Sequence, residues 1–319
     1  MKKGSSILYP PRSAGLTVAF SQPLGSDFAR RGRPCSLSGR RLPVPIPPGS
    51  FPMAPTAPPS PPPLWLDATA ADALLPGSGG ADVIAALALD EALLEEAHEG
   101  VRGEAVVRTW MATRPVVVVG SSSRVEEEVD VAGCDAAGVA ILRRPSGGAT
   151  VILGPGCVMW SVVTPHPAGV PAVERIHAAM LDPLIGALVA AGLPVSRQGT
   201  SDLVLTVDEG SGAIPSLKKI SGNALRVRRH GVLYHGTLLD RFDLPLAARL
   251  LKHPPREPDY RGQRPHAEFL VNLELGRERL EGLLREAFGA VDPLGELPRE
   301  RVARLIEERY GDRAWTHRL

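Results

Sequence analysis

Three short stretches of the chain hold side chains that could act together on an anionic substrate. The first is Arg143-Arg144-Pro145-Ser146-Gly147-Gly148-Ala149-Thr150-Val151. Adjacent glycines let a backbone approach a ligand and turn its N–H groups inward. Arginines beside such a loop can grip a carboxylate or phosphate with a planar fork of donors. A Gly-Gly pair that only turns a hairpin would read the same. The second stretch is Lys218-Lys219-Ile220-Ser221-Gly222-Asn223-Ala224, where a lysine opening a strand could face a negatively charged intermediate. An exposed edge lysine is the plain alternative. The third is Leu233-Tyr234-His235-Gly236-Thr237-Leu238-Leu239, with His-Gly-Thr inside an apolar strand. A strand glycine often marks close backbone approach, while a lone histidine there can be a hydrogen-bonded core residue.

Hydrophobic periodicity supplies the elements that must carry these stretches. Ile84 to His98 has apolar residues at helical spacing and acids expected on the other face. Val106 to Trp110, Pro115 to Gly120 and Val139 to Leu142 read as strands, the last leading into the glycine loop. Thr150 to Leu153 and Val158 to Thr164 look like a hairpin across Gly154-Pro155-Gly156. A helix is expected from Val173 to Ala191, then strands at Leu203–Val207, Lys219–Arg228 and Val232–Leu239. Leu246 to Lys252, Arg277 to Phe288 and Pro298 to Tyr310 read as helices. The class is α+β, with a mixed, largely antiparallel sheet and packed helices.

The bulk numbers exclude several functions. The net charge of +1 over 319 residues points to neither nucleic acid nor an acidic membrane as partner. No apolar run approaches the roughly 20 residues that span a bilayer. Cys35, Cys134 and Cys157 form no disulfide framework, and no ligand spacing suggests a structural metal. Residues 1–63 hold one acid, Asp27, six arginines and a run of prolines from Pro43, which predicts a disordered segment. That composition suits an organellar transit peptide or a start codon placed too early, with Met53 nearer the true start. The expected organisation is residues 1–63 disordered, 64–270 catalytic, and 271–319 a small C-terminal helical extension.

Taken together, R-R-P-S-G-G, S-D-L-V-L (Ser201 to Leu205), K-K-I-S-G-N-A and H-G-T-L-L resemble the lipoate–protein ligase A family. This family belongs to the biotin/lipoate ligase and octanoyltransferase superfamily. The resemblance runs from Ala85 to Asp243 and includes Asp90-Glu91 of the early helix. It implies a ligand tunnel between the glycine loop and the lysine strand. It implies that Arg144 contacts the nucleotide or the lipoate, and that Ala149, Thr150, Val151 and Ile152 border an adenylate. Lys219 matches the family lysine that contacts the acyl carbonyl and phosphate; Asp202 and His235 line the same pocket. Ser146, Gly147, Gly148, Ser221, Gly222, Asn223, Ala224, Gly236 and Thr237 are expected to complete the substrate and ATP site. The implied reaction activates lipoate, or octanoate, with ATP to an acyl-AMP, with Mg²⁺ entering on the nucleotide. A lysine of a carrier then attacks: the lipoyl domain of a 2-oxoacid dehydrogenase E2 subunit, or the glycine cleavage H protein. A cytoplasmic location is expected, or an organellar one if residues 1–63 are a transit peptide.

The chain departs from the pattern at Leu153, where the family usually has histidine, and at Ala149, where it has a third glycine. The bacterial enzymes typically carry a separate C-terminal accessory domain, whereas the stretch that follows Leu270 here, residues 271–319, is expected to form only a small helical cap. Glu257 to Leu270 instead has the Y-R-x-x-R-x-H segment of some ligase-like proteins, with Arg261, Arg264 and His266 expected to close over the pocket or meet an acidic carrier. A plain surface loop reads the same. The rival reading is an ATP-independent octanoyl or lipoyl transferase working through a cysteine thioester. Neither Gly199-Thr200-Ser201 nor Lys252 to Pro255, where such a cysteine would stand, contains one; Cys157 reads as a structural thiol. A non-catalytic lipoyl-binding relic is a further alternative. Biotin ligation lacks its G-R-G-R loop.

Overall fold

The computed structural model describes residues 61–66, 81–210 and 214–319. The Pro/Arg-rich segment through residue 60 lies outside the described residues. In chain order the elements begin with β1 (Leu64–Leu66), α1 (Ala81–Glu99), β2 (Val106–Trp110) and β3 (Val116–Val119). Then come α2 (Val125–Glu128), α3 (Val131–Ala137), β4 (Ala140–Arg143), β5 (Val151–Leu153), β6 (Cys157–Pro165) and α4 (Val173–Ala190). The second half holds β7 (Val195–Gln198), β8 (Asp202–Val207), β9 (Ser216–Ser221), β10 (Asn223–Arg228) and β11 (Gly231–Leu239). Helices α5 (Leu244–Leu250), α6 (His266–Phe269), α7 (Arg277–Phe288), α8 (Arg299–Leu305) and α9 (Arg313–Thr316) complete the chain.

The strands form three sheets. The largest has the order β1-β2-β6-β11-β10 and is antiparallel except for β1 beside β2. The smaller ones are β4-β3-β5 and β7-β8-β9. The α+β class with mostly antiparallel pairing is as the sequence leads one to expect.

Strand β6 shows how the large sheet organises two cores. Its side chains alternate between faces. Cys157, Met159 and Val163 join one core, with α1, α5 and the β4-β3-β5 sheet. Val158, Trp160 and Val162 join the other, under α4 and α7. A strand buried on both faces reads as a near-continuous apolar run, as C-V-M-W-S-V-V does. Residues after 270 complete both cores: Leu280, Leu283 and Leu284 enter one, Val302, Leu305 and Tyr310 the other.

Three expectations are corrected here. Residues 150–164 are not a hairpin. Val151–Leu153 pairs with β3, whereas β6 pairs with β2 and β11. The turn exists, since Cys157 N donates to Gly154 O at 3.0 Å, but it passes the chain between sheets. Gly156 has φ +82° and lies against the Arg241 carbonyl, so a Cβ would overlap that backbone. The strand expected over Lys219–Arg228 is two strands in different sheets, parted at Gly222. Thr237 of β11 draws the chain across there: its N–H donates to Gly222 O at 3.1 Å, and its hydroxyl accepts from Gly222 N at 3.4 Å. Finally, Asp90 and Glu91 of α1 do not face solvent; each is 1% exposed. Tyr310 and Arg309 hold Glu91, and the partners of Asp90 belong to the site. Strand β7, unforeseen in the sequence, pairs with β8 across Gly199.

Candidate functional site

A cavity of about 820 Å³ lies among the glycine loop, the β9–β10 junction, the middle of β11 and the segment from Pro254 to Leu270. That volume suits a small-molecule site, typically about 300–1,000 Å³. Arg144, Gly148, Ala149, Thr150, Val151 and Ile152 line it on one side. Asp202, Lys219, Ser221, Gly222, Asn223, Ala224, His235, Gly236 and Thr237 line it on the other. Ser146 and Gly147 are not on its wall: Ser146 is fully buried behind the loop. Glu128, Ser201 and Tyr260 also line it. Ser201 opens the S-D-L-V-L stretch and Tyr260 the Y-R-x-x-R-x-H segment, but local sequence gives neither residue, nor Glu128, a place at the site; packing between segments distant in the chain brings them in.

Arg144 is committed mainly to the loop itself. Its Nε donates to Ser146 Oγ at 3.1 Å and its Nη1 to Val118 O at 3.1 Å. Its Nη2 donates to Gly147 O at 2.6 Å and Ala149 O at 2.9 Å. Four of a guanidinium's five N–H groups are thereby used, so Arg144 acts first as a clamp. Burial lowers its pKa to about 10 against the pull of Glu128, and it stays cationic at neutral pH. Arg143 faces away, donating to Gly120, Ser123 and Thr316 carbonyls. The carboxylate of Glu128 fixes Thr150 through both its N–H and its hydroxyl, each at 2.7 Å.

Behind the loop runs a buried polar row. Arg108, Ser161 and His235 stand in register on β2, β6 and β11 and meet Asp90 from α1. Asp90 Oδ1 accepts from Arg108 Nη1 at 2.6 Å and from Ser161 Oγ at 2.8 Å. His235 places Nδ1 3.4 Å from Asp90 Oδ2 and Nε2 2.6 Å from Ser146 Oγ. With a neutral imidazole the roles match when Nδ1–H donates to Asp90 and Ser146 donates to Nε2. Burial pushes the Asp90 pKa up, but Arg108, His235 and Ser161 outweigh it, leaving it below the ordinary carboxylate value.

Opposite, Lys219 Nζ lies 2.8 Å from Asp202 Oδ1. Its side chain lies over Gly222, where a Cβ would come within 3.0 Å of Cε and Nζ. The Asn223 amide donates to Ser201 O at 2.7 Å and locks the junction. Gly236 is required there, because a Cβ would overlap Asn223 Oδ1. Arg261 and His266 line the cavity. The Arg264 guanidinium is spent on the carbonyls of Leu217, Tyr260 and Arg261. Leu153, at the family's histidine position, adds apolar wall. Among the described residues no cysteine lines the cavity. Cys157 is fully buried and its thiol is pushed up to about 12 by burial.

The two loop glycines differ in what they tolerate. Gly148 has φ +89°, and a Cβ would sit 3.0 Å from Arg144 Nη2. Gly147 has no left-handed φ and open space around a Cβ. Gly148→Val is therefore expected to cost about 1–3 kcal/mol of stability and to distort the loop. Gly147→Ala should leave stability within about 0.5 kcal/mol of wild type. Arg144→Ala should lower both the melting temperature and ligand affinity, because it strands loop carbonyls at about 1–3 kcal/mol for each buried one. Thermal melts with calorimetric titration check all three; equal stability of the Gly147 and Gly148 variants would contradict the loop geometry.

A family model for the lipoyl protein ligase A/B catalytic domain matches residues 82–278. A lipoate-protein ligase A-like protein of Aeropyrum pernix is 31% identical over 222 residues, 70% of this chain and 72% of that one. Octanoyltransferase LipM of Carboxydothermus hydrogenoformans is 28% identical over 257 residues, 73% of this chain and 94% of that one. Among solved structures, the bi-partite lipoate protein ligase of Thermoplasma acidophilum superposes with a TM-score of 0.64 at 21% identity, covering 80% of this chain and 96% of that one. A lipoate-protein ligase A bound with ATP gives 0.59 at 20% identity, over 80% and 97%. At such identities the superpositions establish the fold.

Proposed function

Because the chain belongs to the lipoyl protein ligase A/B catalytic-domain family, we propose that it is an ATP-dependent lipoate–protein ligase. Lipoate or octanoate and ATP give an acyl-AMP and pyrophosphate. The amine of a carrier lysine then attacks the acyl carbonyl and AMP leaves. The carrier is a lipoyl domain of a 2-oxoacid dehydrogenase E2 subunit or the glycine cleavage H protein. A structural neighbour described together with its E2 lipoyl domain supports the former. Mg²⁺ enters with the nucleotide.

One observation carries this reading over a thioester transferase: the cavity wall offers a fixed ammonium, Lys219, and among the described residues no thiol. A thioester route needs a reachable thiolate, and Cys157 is sealed with its pKa pushed up to about 12. Position supports these roles. Lys219 is placed to offset negative charge as the carboxylate attacks phosphorus and as AMP leaves. Arg144, Glu128 and the Asp90 row hold the glycine loop rigid, so that its backbone N–H groups need no reorganisation. Leu87, Trp110, Leu153, Met159 and Phe242 offer an apolar lining for the acyl chain.

Purified protein should release pyrophosphate from ATP only when lipoate or octanoate is present, and Cys157→Ser should keep most of that rate. The transferase reading has a relative in its favour. A covalent octanoyl or lipoyl adduct on a cysteine after incubation with an acylated carrier, seen by intact mass, would establish it and remove the ligase reading.

A further inference from the structure

Tyr260 has no part in the roles above, yet it reaches the centre of the lysine side of the cavity. A single 3₁₀ turn, Asp259–Arg261, presents it. Its ring packs against Phe269 with centroids 5.3 Å apart, and its hydroxyl donates to Asp202 Oδ2 at 2.8 Å. The other oxygen of that carboxylate takes Lys219 Nζ, also at 2.8 Å. One carboxylate therefore bridges a lysine from β9 and a tyrosine from a segment some forty residues further along the chain. The same segment holds the lysine's main chain, because Val271 N donates to Lys219 O at 3.1 Å.

We propose that Tyr260 is a positioning residue for Lys219, holding the Asp202 carboxylate so that the ammonium can turn from Asp202 to an incoming carboxylate or phosphate. The reason is the cost of a stranded charge. The Asp202 side chain is only 16% exposed. If Lys219 were its sole partner, each transfer of the ammonium to substrate would leave a half-buried carboxylate unsatisfied, which opposes the transfer. A phenol that stays on the second oxygen keeps the carboxylate solvated by the protein throughout. The phenol suits this role, because burial and the Asp202 charge raise its ionisation far above the ordinary tyrosine value and keep it a neutral donor. Its seat is preformed. Gly199 lies under Pro258 and the Tyr260 ring at φ +56°, and Phe269 behind the ring is buried.

Which anion arrives rests on the ligase reading; the coupling of Tyr260 to Lys219 through Asp202 does not. The test is a double-mutant cycle of the full chain: wild type, Tyr260→Phe, Asp202→Asn and the double variant. Tyr260→Phe keeps the ring on Phe269 and removes only the donor. It should raise KM for lipoate about three- to tenfold, the loss of one neutral hydrogen bond, with a smaller change in kcat. In the Asp202→Asn background it should change neither, since its partner charge is gone. A second readout needs no turnover: acetylation of the Lys219 amine by acetic anhydride, followed by peptide mass spectrometry. Tyr260→Phe should slow it, because an undivided Asp202 charge holds the ammonium more firmly, and should leave it unaffected in the Asp202→Asn background. Equal effects of Tyr260→Phe in both backgrounds, or none in either, would overturn the proposal. A wild type that releases no pyrophosphate would overturn the ligase reading, while the acetylation cycle still decides the role of Tyr260.

Discussion

Lys219→Ala is expected to reduce acid-dependent pyrophosphate release about 10²- to 10³-fold, the scale seen when one preorganised transition-state donor is removed. The fold should survive. The Lys219 side chain is 24% exposed, and a partly exposed ion pair contributes at most about 1 kcal/mol. Lys219→Arg should fail almost as badly. The lysine reaches Asp202 by lying across Gly222, where a single added carbon would already crowd it to 3.0 Å. A planar, bulkier guanidinium has no room for the same path and presents its charge in a different geometry. Initial rates at saturating ATP, with a thermal melt of each variant, check this. Near-normal turnover in either variant would remove Lys219 from the chemistry.

The second large effect concerns stability. Arg108→Leu is expected to cost about 3–5 kcal/mol, measured by denaturant unfolding, because it leaves Asp90 charged in the core without its principal partner. Asp90 and Arg108 are 1% and 0% exposed, so water cannot replace what is lost. Asp90→Asn combined with Arg108→Leu should recover part of the loss, since the stranded charge is then absent. The pH dependence has a definite sign. The folded pKa of Asp90 is depressed, so its stabilising contribution is fully present above the ordinary carboxylate value and is lost as pH falls through the folded one. In Arg108→Leu the folded pKa of Asp90 rises, so this acid-dependent contribution shrinks or reverses and stability should fall less steeply as the pH is lowered. A variant as stable as wild type, with the same acid midpoint, would show that the row contributes nothing to folding.

Some of this was legible in the chain. Strands β2, β3 and β8 and helices α1, α4 and α7 lie within a few residues of where periodicity puts them, because burying one face, or both, imposes that spacing on local sequence. Two of the three errors fall where the chain changes sheets. At Gly154–Gly156 the sequence continues apolar and β-branched on both sides, and at Gly222 a strand-like alternation of polar and apolar residues continues on both sides, so nothing local distinguishes a turn that doubles back from one that crosses over. The crossing is decided by distant backbone: the Arg241 carbonyl against Gly156, and the Thr237 hydroxyl and N–H on Gly222.

The site divides the same way. Residue type and spacing marked the glycine loop, Lys219 and His235 as candidates, because the chemistry of anion binding draws on few side chains; Asp202 entered only through the resemblance of S-D-L-V-L to the ligase family. Their partners were not legible. Asp90 looks like one acid among several on a helix, yet cross-strand register sets Arg108, Ser161 and His235 directly against it. Arg144 looks like a free ligand donor, but the fold of the loop around it turns most of its N–H groups onto carbonyls. Tyr260 stands in the Y-R-x-x-R-x-H segment, but only its arginines and histidine suggested a role until the return of the chain past β9 put the phenol on Asp202. Local sequence determines which groups are present and which face of an element is apolar. Which charge meets which donor depends on contacts between segments 18 to 145 residues apart, and only the packed structure decides those.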